Sequence, residues 1–230
     1  MCGRFTLRAS PSVIAAQFGI FEIPALTARF NIAPTQQVPV VRLQPGQVDG
    51  GHRELVLLRW GLVPGWATDA TIGNRLINAR AETAAEKPAF RSAMRSRRCL
   101  MVADGFYEWQ KTGRARQPYF IRLRDDRPFG FAGLWESWQR PDRVPLETCT
   151  LLTTDANELV RPIHDRMPVI LAPDSYAAWL DPSNTDPRAL RPLLAPFPSA
   201  AMEAYPVSSV VNTPANDVPG CTEPLQRTLF

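Results

Sequence analysis

The chain has 230 residues, of which 45% are hydrophobic and 21% charged, and a formal net charge of +4. This composition is typical of a soluble globular protein and excludes disordered and fibrous classes. The sequence has no run of eighteen apolar residues, and Pro11 and polar residues interrupt any signal-like segment, so we expect neither a membrane span nor export.

The cysteine and arginine content further narrows the range of possible functions. The four cysteines lie far apart without a C-x-x-C pair, so neither a metal site nor a disulfide framework is expected. Of the 26 basic residues all but Lys87 and Lys111 are arginines, which suit bidentate phosphate contacts and stacking on bases. A GC-rich genome, which favours arginine codons, would give the same bias.

Short elements are predicted along the whole chain, because 23 prolines leave little room for long helices. In the first half we predict a capped helix after Ser10 ending at Gly19, an extended stretch 30–41 broken at 33–35, a loop 44–52, a strand 55–60, a long surface loop 61–74 and helix-forming composition over 81–96 with a break at Pro88. In the second half we predict strands 100–102, 106–110, 119–123, 129–135, 148–153, 167–171 and 207–211, a helical turn 155–160, and short helices 175–180 and 188–194.

The fold class that follows is α+β. The strands are mostly consecutive with short turns, so we predict a mostly antiparallel, strand-rich, barrel-like core with short peripheral helices. No internal repeat or clear linker interrupts the sequence, and we expect one domain over residues 1–230.

Cys2 is the first candidate for chemistry. Removal of Met1 would leave an α-amine and a thiol on one residue, with unperturbed pKa values of ~7.7–8.0 and ~8.5. Such a 1,2-aminothiol condenses with an aldehyde and closes to a five-membered thiazolidine. It also resembles N-terminal nucleophiles, whose own amine serves as base. The alternative is a second-position cysteine with no chemical role.

Two residues are candidates for proton transfer. His164 lies between a helical turn and an apolar strand, flanked by Asp165 and Arg166, and is either a tuned acid/base or a structural histidine. Glu108 stands among the aromatics of Phe106–Trp109, where burial would raise its pKa towards neutrality; the alternative is a solvated strand residue. The other histidine, His52, sits in a Gly-rich loop and is expected to be solvated.

Several further residues suit a polymeric anion. Asn78 either orients a substrate or caps a helix, and Arg80 can grip an anion. Trp66, beside Pro64-Gly65, is the best tryptophan for stacking on a base. No strand–G-x-G-x-x-G–helix unit and no G-x-S-x-G elbow is present.

These residues recur in motifs that resemble the SRAP family, the SOS-response-associated peptidase domain proteins. The resemblance spans nearly the whole chain, with one departure at Val102, where many members have proline. The motifs are Cys2-Gly3-Arg4-Phe5, Asn31-Ile32-Ala33-Pro34, Arg59-Trp60-Gly61-Leu62-Val63-Pro64-Gly65-Trp66, Asn78-Ala79-Arg80-Ala81-Glu82-Thr83, Arg98-Cys99-Leu100, Asp104-Gly105-Phe106-Tyr107-Glu108-Trp109, Ala132-Gly133-Leu134-Trp135-Glu136 and Ile163-His164-Asp165-Arg166-Met167-Pro168.

The resemblance implies a protein that acts on abasic sites in single-stranded DNA, or at single/double-strand junctions, as part of the DNA damage response. It implies a covalent thiazolidine crosslink through Cys2 with lyase-like imine chemistry, and a peptidase activity that would remove Met1. It implies a catalytic set of Cys2, Asn78, Glu108 and His164 and a DNA-binding set of Arg4, Pro34, Trp66, Arg80, Trp109 and Arg166.

The expected setting completes this interpretation. We expect a monomer without cofactor, metal or membrane partner, located in the cytoplasm at the bacterial nucleoid. The alternative function is an N-terminal-nucleophile cysteine peptidase or amidohydrolase. The two differ in Cys2, because only the crosslinker requires amine and thiol together.

Overall fold

The fold is strand-rich, in a computed structural model that describes residues 2–44, 51–139 and 144–225. Its strands are β1 Phe5–Leu7, β2 Arg29–Ile32, β3 Gln37–Leu43, β4 Arg53–Trp60, β5 Asn78–Arg80, β6 Arg98–Ala103, β7 Gly105–Thr112, β8 Ala115–Leu123, β9 Phe129–Trp138, β10 Leu146–Asp155, β11 Arg166–Pro168, β12 Ile170–Leu171 and β13 Met202–Pro206. Its α-helices are α1 Pro11–Phe18, α2 Arg91–Ser96, α3 Tyr176–Leu180 and α4 Pro187–Leu190. No helix in these ranges is long and apolar enough to cross a membrane.

Five strands close into a barrel. β3 pairs antiparallel with β4 and β6, β6 with β9, and β9 with β10, and the parallel pair β10–β4 completes the ring. Closure leaves no free edges between these strands, and their apolar side chains form the main core. The predicted α+β class with a barrel-like core is therefore confirmed.

A second sheet holds the N-terminal residues in place. Its order is β13-β8-β7-β1-β2, so β1 is hydrogen-bonded on both sides and pairs Phe5 with Phe106 and with Ile32. The buried carboxylate of Asp104 accepts a hydrogen bond from Thr6 Oγ1 at 2.6 Å and one from Ala9 N at 2.9 Å. These bonds fix the strand that starts three residues after Cys2.

Two short strands bring the other motifs to β10. β5 runs parallel to it, with Asn78 opposite Leu151, and β11 runs antiparallel, with Arg166 opposite Asp155. The Asn-Ala-Arg and His-Asp-Arg motifs, distant in sequence, therefore lie along one strand.

The helix predicted after Ser10 is confirmed with its caps. Ser10 accepts a hydrogen bond from Val13 N, Pro11 occupies the first turn, and Gly19 ends the helix in the left-handed conformation with φ 65°. The extended stretch 30–41 and its break are also confirmed as β2, a turn and β3.

Three predicted elements differ from the structure. The predicted last strand 207–211 is wrong: the strand is β13, and residues 209–212 form a 3-10 turn capped by the Ser208 hydroxyl. Only α2 in the predicted helical region 81–96 is α-helical, and the predicted loop 61–74 ends in a 3-10 helix, Ala70–Arg75. The predicted loop 44–52 falls mostly on residues 45–50, outside the described residues.

The start of region 61–74 is buried rather than exposed. Gly61, at φ 129°, and Gly73 face each other so closely that a Cβ on either would lie about 2.6 Å or less from the other's carbonyl oxygen. Two glycines are thus required where this segment folds back on itself, beside the strand that ends at Trp60.

Candidate active site

Cys2 is completely buried beneath the two sheets. Its carbonyl oxygen accepts a hydrogen bond from Asn78 Nδ2 at 2.8 Å, and its Sγ lies 3.6 Å from the carbonyl oxygen of Arg4 as a weak donor. Burial raises the pKa of the Cys2 thiol well above its usual value, and the charge of Glu108 raises it further. The resting sulfur is therefore a thiol, not a thiolate.

Asn78 is the first residue of β5, and its amide donates to the Cys2 carbonyl. Its place in a strand excludes the helix-capping alternative, whereas its part in orienting a substrate stays a prediction. Its Oδ1 is buried and accepts no hydrogen bond from the described residues. This leaves an acceptor beside the backbone of Cys2.

Glu108 lies on the buried side of β7 and is 2% exposed. It shares one face of β7 with Phe106, which packs in the core, so the strand directs the carboxylate inwards. Burial raises the pKa of Glu108 to about 7, and the charge of Asp165 acts in the same direction. Near neutral pH this side chain can take up or release a proton.

His164 lies in the turn before β11, with its side chain 26% exposed. Its Nδ1 accepts a hydrogen bond from the backbone N–H of Arg166 at 3.0 Å and lies 2.9 Å from Asp165 Oδ1. Burial lowers the pKa of His164, so the imidazole is mainly neutral near pH 7.

The four predicted catalytic residues converge at the seam between the sheets. Asn78 contacts Cys2, the charge of Glu108 acts on the Cys2 thiol, and that of Asp165 acts on Glu108. Gln110 Nε2 also donates to the carbonyl of Pro162 at 3.0 Å, tying β7 to the turn that carries His164. The seam thus brings together a thiol, an amide, a carboxyl group and an imidazole.

Two of the predicted phosphate-binding arginines are engaged within the protein. Arg4 Nη1 donates to Asn31 Oδ1 at 2.8 Å and to the carbonyl of Val211 at 2.7 Å. Arg166 makes ion pairs with Glu82 and Asp155 and is 12% exposed. Both hold elements of the site together, whatever else they bind.

Arg80 and Trp66 border an open groove. Arg80 is exposed at the end of β5 and makes no ion pair with the part of the chain that the structure describes. Trp66 is 62% exposed and its Nε1 lies 3.4 Å from the carbonyl of Pro88. The groove has a volume of about 660 Å³ and is lined by Trp66, Leu76, Asn78, Ala79, Arg80, Thr83, Lys87, Pro88, Ala89 and Phe90.

The two remaining predicted contacts lie elsewhere on the surface. Trp109 is half-buried, donates from Nε1 to Asn212 Oδ1 at 2.7 Å and packs 5.9 Å below the guanidinium of Arg4. Pro34 is half-buried in the turn between β2 and β3, next to Thr35 with φ 72°. Neither lines the groove beside Asn78.

Residues near the C-terminus bind to β2 through Arg29 and Asn31. Asp217 pairs with Arg29 and accepts from Asn31 N at 3.0 Å. The fully buried Asn31 donates from Nδ2 to the carbonyls of Val211, Thr213 and Asn216. The sequence pointed to Asn31 only through the motif Asn31-Ile32-Ala33-Pro34, and nothing in it indicated these hydrogen-bond partners.

Comparisons with known proteins agree over most of the chain. A family model described as SOS response associated peptidase (SRAP) matches residues 1–214. The abasic site processing protein YoqW of Bacillus subtilis is 46% identical over 97% of this chain and 99% of its own length. The abasic site processing protein HMCES of Gallus gallus is 33% identical over 86% of this chain and 66% of its own length.

A solved structure supports the same relationship. The crystal structure of a protein from Bacteroides thetaiotaomicron matches with a TM-score of 0.86 and 28% sequence identity, covering 97% of this chain and 99% of that one. The strand-rich fold described above is therefore shared with this protein.

Proposed function

Because the chain belongs to the SOS response associated peptidase (SRAP) family, we propose that it senses abasic sites in single-stranded DNA and shields them by a covalent crosslink through Cys2. Its relatives in Bacillus subtilis and Gallus gallus carry the name abasic site processing protein. The observation that carries the proposal is the hydrogen bond from Asn78 to the Cys2 carbonyl, which holds the N-terminal residue beside a buried carboxyl group of pKa about 7.

The proposed reaction uses both functional groups of Cys2. Once Met1 is removed, the α-amine adds to the aldehyde of the ring-opened sugar and one water leaves, giving an imine. The thiol then adds across the C=N bond: sulfur bonds to carbon, and the thiol proton ends on nitrogen. The product is a thiazolidine, and the two reaction steps together need no cofactor, oxidant or reductant.

The order of these steps follows from the state of the thiol. A buried thiol with a raised pKa is a poor first nucleophile, because the thiolate is the reactive form. The amine therefore attacks first, and the thiol closes the ring onto an imine that is already positioned. This order favours the crosslinker over a cysteine peptidase, which needs a thiolate at the outset.

Glu108 transfers the protons, and His164 stabilises the reacting oxygens. Glu108 accepts a proton from the Cys2 ammonium or thiol, because its raised pKa makes it a base of suitable strength near neutral pH, and it returns that proton to the hydroxyl that leaves as water. His164, whose ring is neutral near pH 7, donates a hydrogen bond from Nε2 to the sugar oxygen during ring opening and to the leaving hydroxyl. Asn78 keeps the Cys2 backbone in the orientation that both steps require.

The DNA strand runs through the groove beside Asn78. Trp66 offers a stacking surface for a base, and Arg80 offers a guanidinium to a phosphate next to the lesion. Arg4, Arg166, Trp109 and Pro34, which do not line this groove, complete the set of proposed DNA contacts. The protein acts as a monomer in the cytoplasm at the nucleoid, on single strands and at single/double-strand junctions.

Lyase and peptidase activities are two further proposed reactions of the same site. An imine that waits without ring closure can undergo β-elimination and cut the strand, whereas thiazolidine closure removes the C=N bond that elimination needs. The peptidase activity is removal of Met1 by the same site. Synthesis in a system without methionine aminopeptidase tests this branch, since an intact mass that lacks Met1 is then expected.

Incubation of processed protein with single-stranded DNA that contains one abasic site tests the main proposal. A denaturation-resistant adduct is expected on a gel, and none with the same strand undamaged. Correctly processed protein that gives no adduct on the damaged strand would overturn it.

Asn78→Ala is expected to slow crosslinking about tenfold. The substitution removes the donor to the buried Cys2 carbonyl, and leaving such a group unpaired costs roughly 1–3 kcal/mol. Single-turnover rates at saturating DNA measure the effect. Asn74→Ala, at an exposed asparagine four residues earlier, is the matched control and should keep the wild-type rate; a common rate for both variants would remove Asn78 from the mechanism.

Arg80→Ala is expected to weaken binding to undamaged single strands and to flatten its salt dependence. Loss of one phosphate contact lowers the magnitude of the slope of log K against log salt by roughly 0.7 for single strands. Fluorescence anisotropy at several salt concentrations measures it. Arg188→Ala, at an exposed arginine outside the groove, should leave the slope unchanged. A slope for Arg80→Ala equal to the wild type would exclude Arg80 as a phosphate ligand.

A further inference from the structure

Both carboxylate oxygens of Glu82 accept hydrogen bonds from Arg166. Glu82 Oε1 accepts from Arg166 Nη1 at 2.7 Å and Oε2 accepts from Nη2 at 2.9 Å, which is the parallel two-bond geometry that arginine makes with carboxylates. The Arg166 hydrogen bond lowers the pKa of Glu82, so the carboxylate is charged at neutral pH. The pair connects the turn after β5 to the first residue of β11.

The same guanidinium is also tied to β10. Its Nη1 donates to Asp155 Oδ1 at 2.7 Å and its Nη2 to the carbonyl of Thr153 at 2.6 Å. Asp155 is 81% exposed and Glu82 47%, so Glu82 is the better shielded of the two carboxylates. Glu82 also supplies two of these bonds, and it is therefore the stronger anchor.

The backbone of Arg166 faces the candidate catalytic histidine. Its N–H donates to His164 Nδ1 at 3.0 Å, which requires an unprotonated Nδ1 and leaves the proton of the neutral ring on Nε2. Asp165 Oδ1, at 2.9 Å from the same nitrogen, favours the opposite state, since it can only accept a proton held on Nδ1. Two groups thus compete at one nitrogen.

We propose that Glu82 is a positioning residue, which holds Arg166 so that its backbone N–H keeps Nδ1 of His164 unprotonated. This inference rests on the proposed function, in which Nε2–H of His164 donates a hydrogen bond to the sugar oxygen. A fixed Nε2–H tautomer presents one defined donor, whereas a loosened Arg166 lets Asp165 draw the proton to Nδ1. Glu82 acts here only through Arg166.

Other charged groups around His164 remain the same when Glu82 is changed. Asp165 neighbours it in the chain, and Lys111 acts on it from β7 and lowers its pKa, after the larger effect of burial. A change confined to the Nδ1 state of His164 in a Glu82 variant therefore reports the Arg166 contact.

The contacts from Glu82 through Arg166 to His164 form a tether. Nitrogen NMR of the free protein tests this tether before any reaction takes place. The chain has two histidines, and His52, beside Phe21 in another part of the fold, serves as an internal reference. Glu82→Gln is expected to raise the fraction of Nδ1-protonated His164 at each pH without moving the His52 signals. The control is Glu86→Gln, at an exposed carboxylate that lines the same surface cavity as Glu82.

Crosslinking kinetics then connect the tether to the reaction. The rate at saturating abasic DNA is expected to fall about tenfold in Glu82→Gln, within the roughly hundredfold that a misplaced reacting group can cause, and its pH profile should shift. Affinity for undamaged DNA should hold or tighten, because a negative charge is lost beside Arg166.

Each result decides one part of the inference. His164 signals in Glu82→Gln that match those of Glu86→Gln would overturn the tether, and an unchanged rate and pH profile would overturn its part in the reaction. If the wild-type protein formed no adduct, the proposed function would fail, while the NMR comparison would still decide whether Glu82 sets the tautomer.

Discussion

Cys2→Ser is expected to abolish the denaturation-resistant adduct. Serine keeps the α-amine and is as small as cysteine, so Met1 removal by an aminopeptidase is preserved. An imine can still form, but a hydroxyl closes it to a readily reversible ring, whereas sulfur gives the stable thiazolidine. Denaturing gels of wild-type and variant protein with abasic DNA measure the difference.

Borohydride separates loss of ring closure from loss of folding. Added during the reaction it reduces an imine to a stable amine, so Cys2→Ser should again give an adduct in its presence. The matched control is Cys221→Ala, which removes another buried thiol at a distance from Asn78. A stable adduct from Cys2→Ser without borohydride would contradict the role of the thiol.

Glu108→Gln is expected to lower the crosslinking rate between about a hundredfold and ten thousandfold, the range for loss of a general base. Because the Glu108 carboxyl has a pKa of about 7 and is active as the carboxylate, the wild-type rate should rise with pH through this value. The variant should lack that inflection. Rates measured between pH 5 and 9 at saturating DNA give both results.

The sign of the pH effect distinguishes the base from an acid. If Glu108 instead donated its proton in the slow step, the rate would fall as pH rises through about 7. Glu136→Gln is the control, since it removes a largely buried carboxylate on β9 that pairs with Arg97. An unchanged profile in Glu108→Gln would remove this residue from the reaction.

The sequence predicted most of the fold because its local signals are strong. Ser10, Pro11 and Gly19 fix a helix by cap chemistry alone, and the apolar strands 100–102 and 148–153 have little alternative to a buried sheet. The segment 207–211 was misassigned because its valines are apolar, while the Ser208 cap, which turns the chain, is a weak local signal. The single domain over residues 1–230 stays a prediction.

The candidate catalytic residues were easier to single out from the sequence than their surroundings, and their roles stay predictions. Cys2, Glu108 and His164 carry scarce or distinctive groups in recognisable motifs. The partners of Arg4 and Arg166 could not be predicted, because they include Val211, 207 positions from Arg4, and Glu82, 84 positions from Arg166. The number of arginines in the sequence indicates that the protein could bind phosphate. Only the fold shows which guanidinium groups are already paired with other groups of the protein.

DNA contacts remain predictions for the same reason. Arg80 and Trp66 are exposed beside Asn78, which fits their proposed roles, whereas Pro34 and Trp109 lie outside that groove. Side-chain exposure and pairing depend on long-range packing, which residue type does not encode.

Mass analysis of the purified adduct tests the central claim most directly. The protein, processed and crosslinked to abasic single-stranded DNA, is digested, and the modified peptide is fragmented. The expected product carries the sugar at Cys2 of a chain without Met1, has a mass equal to peptide plus sugar fragment minus one water, and has neither a free thiol nor a free α-amine at that residue. A sugar attached at another residue, or a Cys2 that keeps either group free, would contradict it.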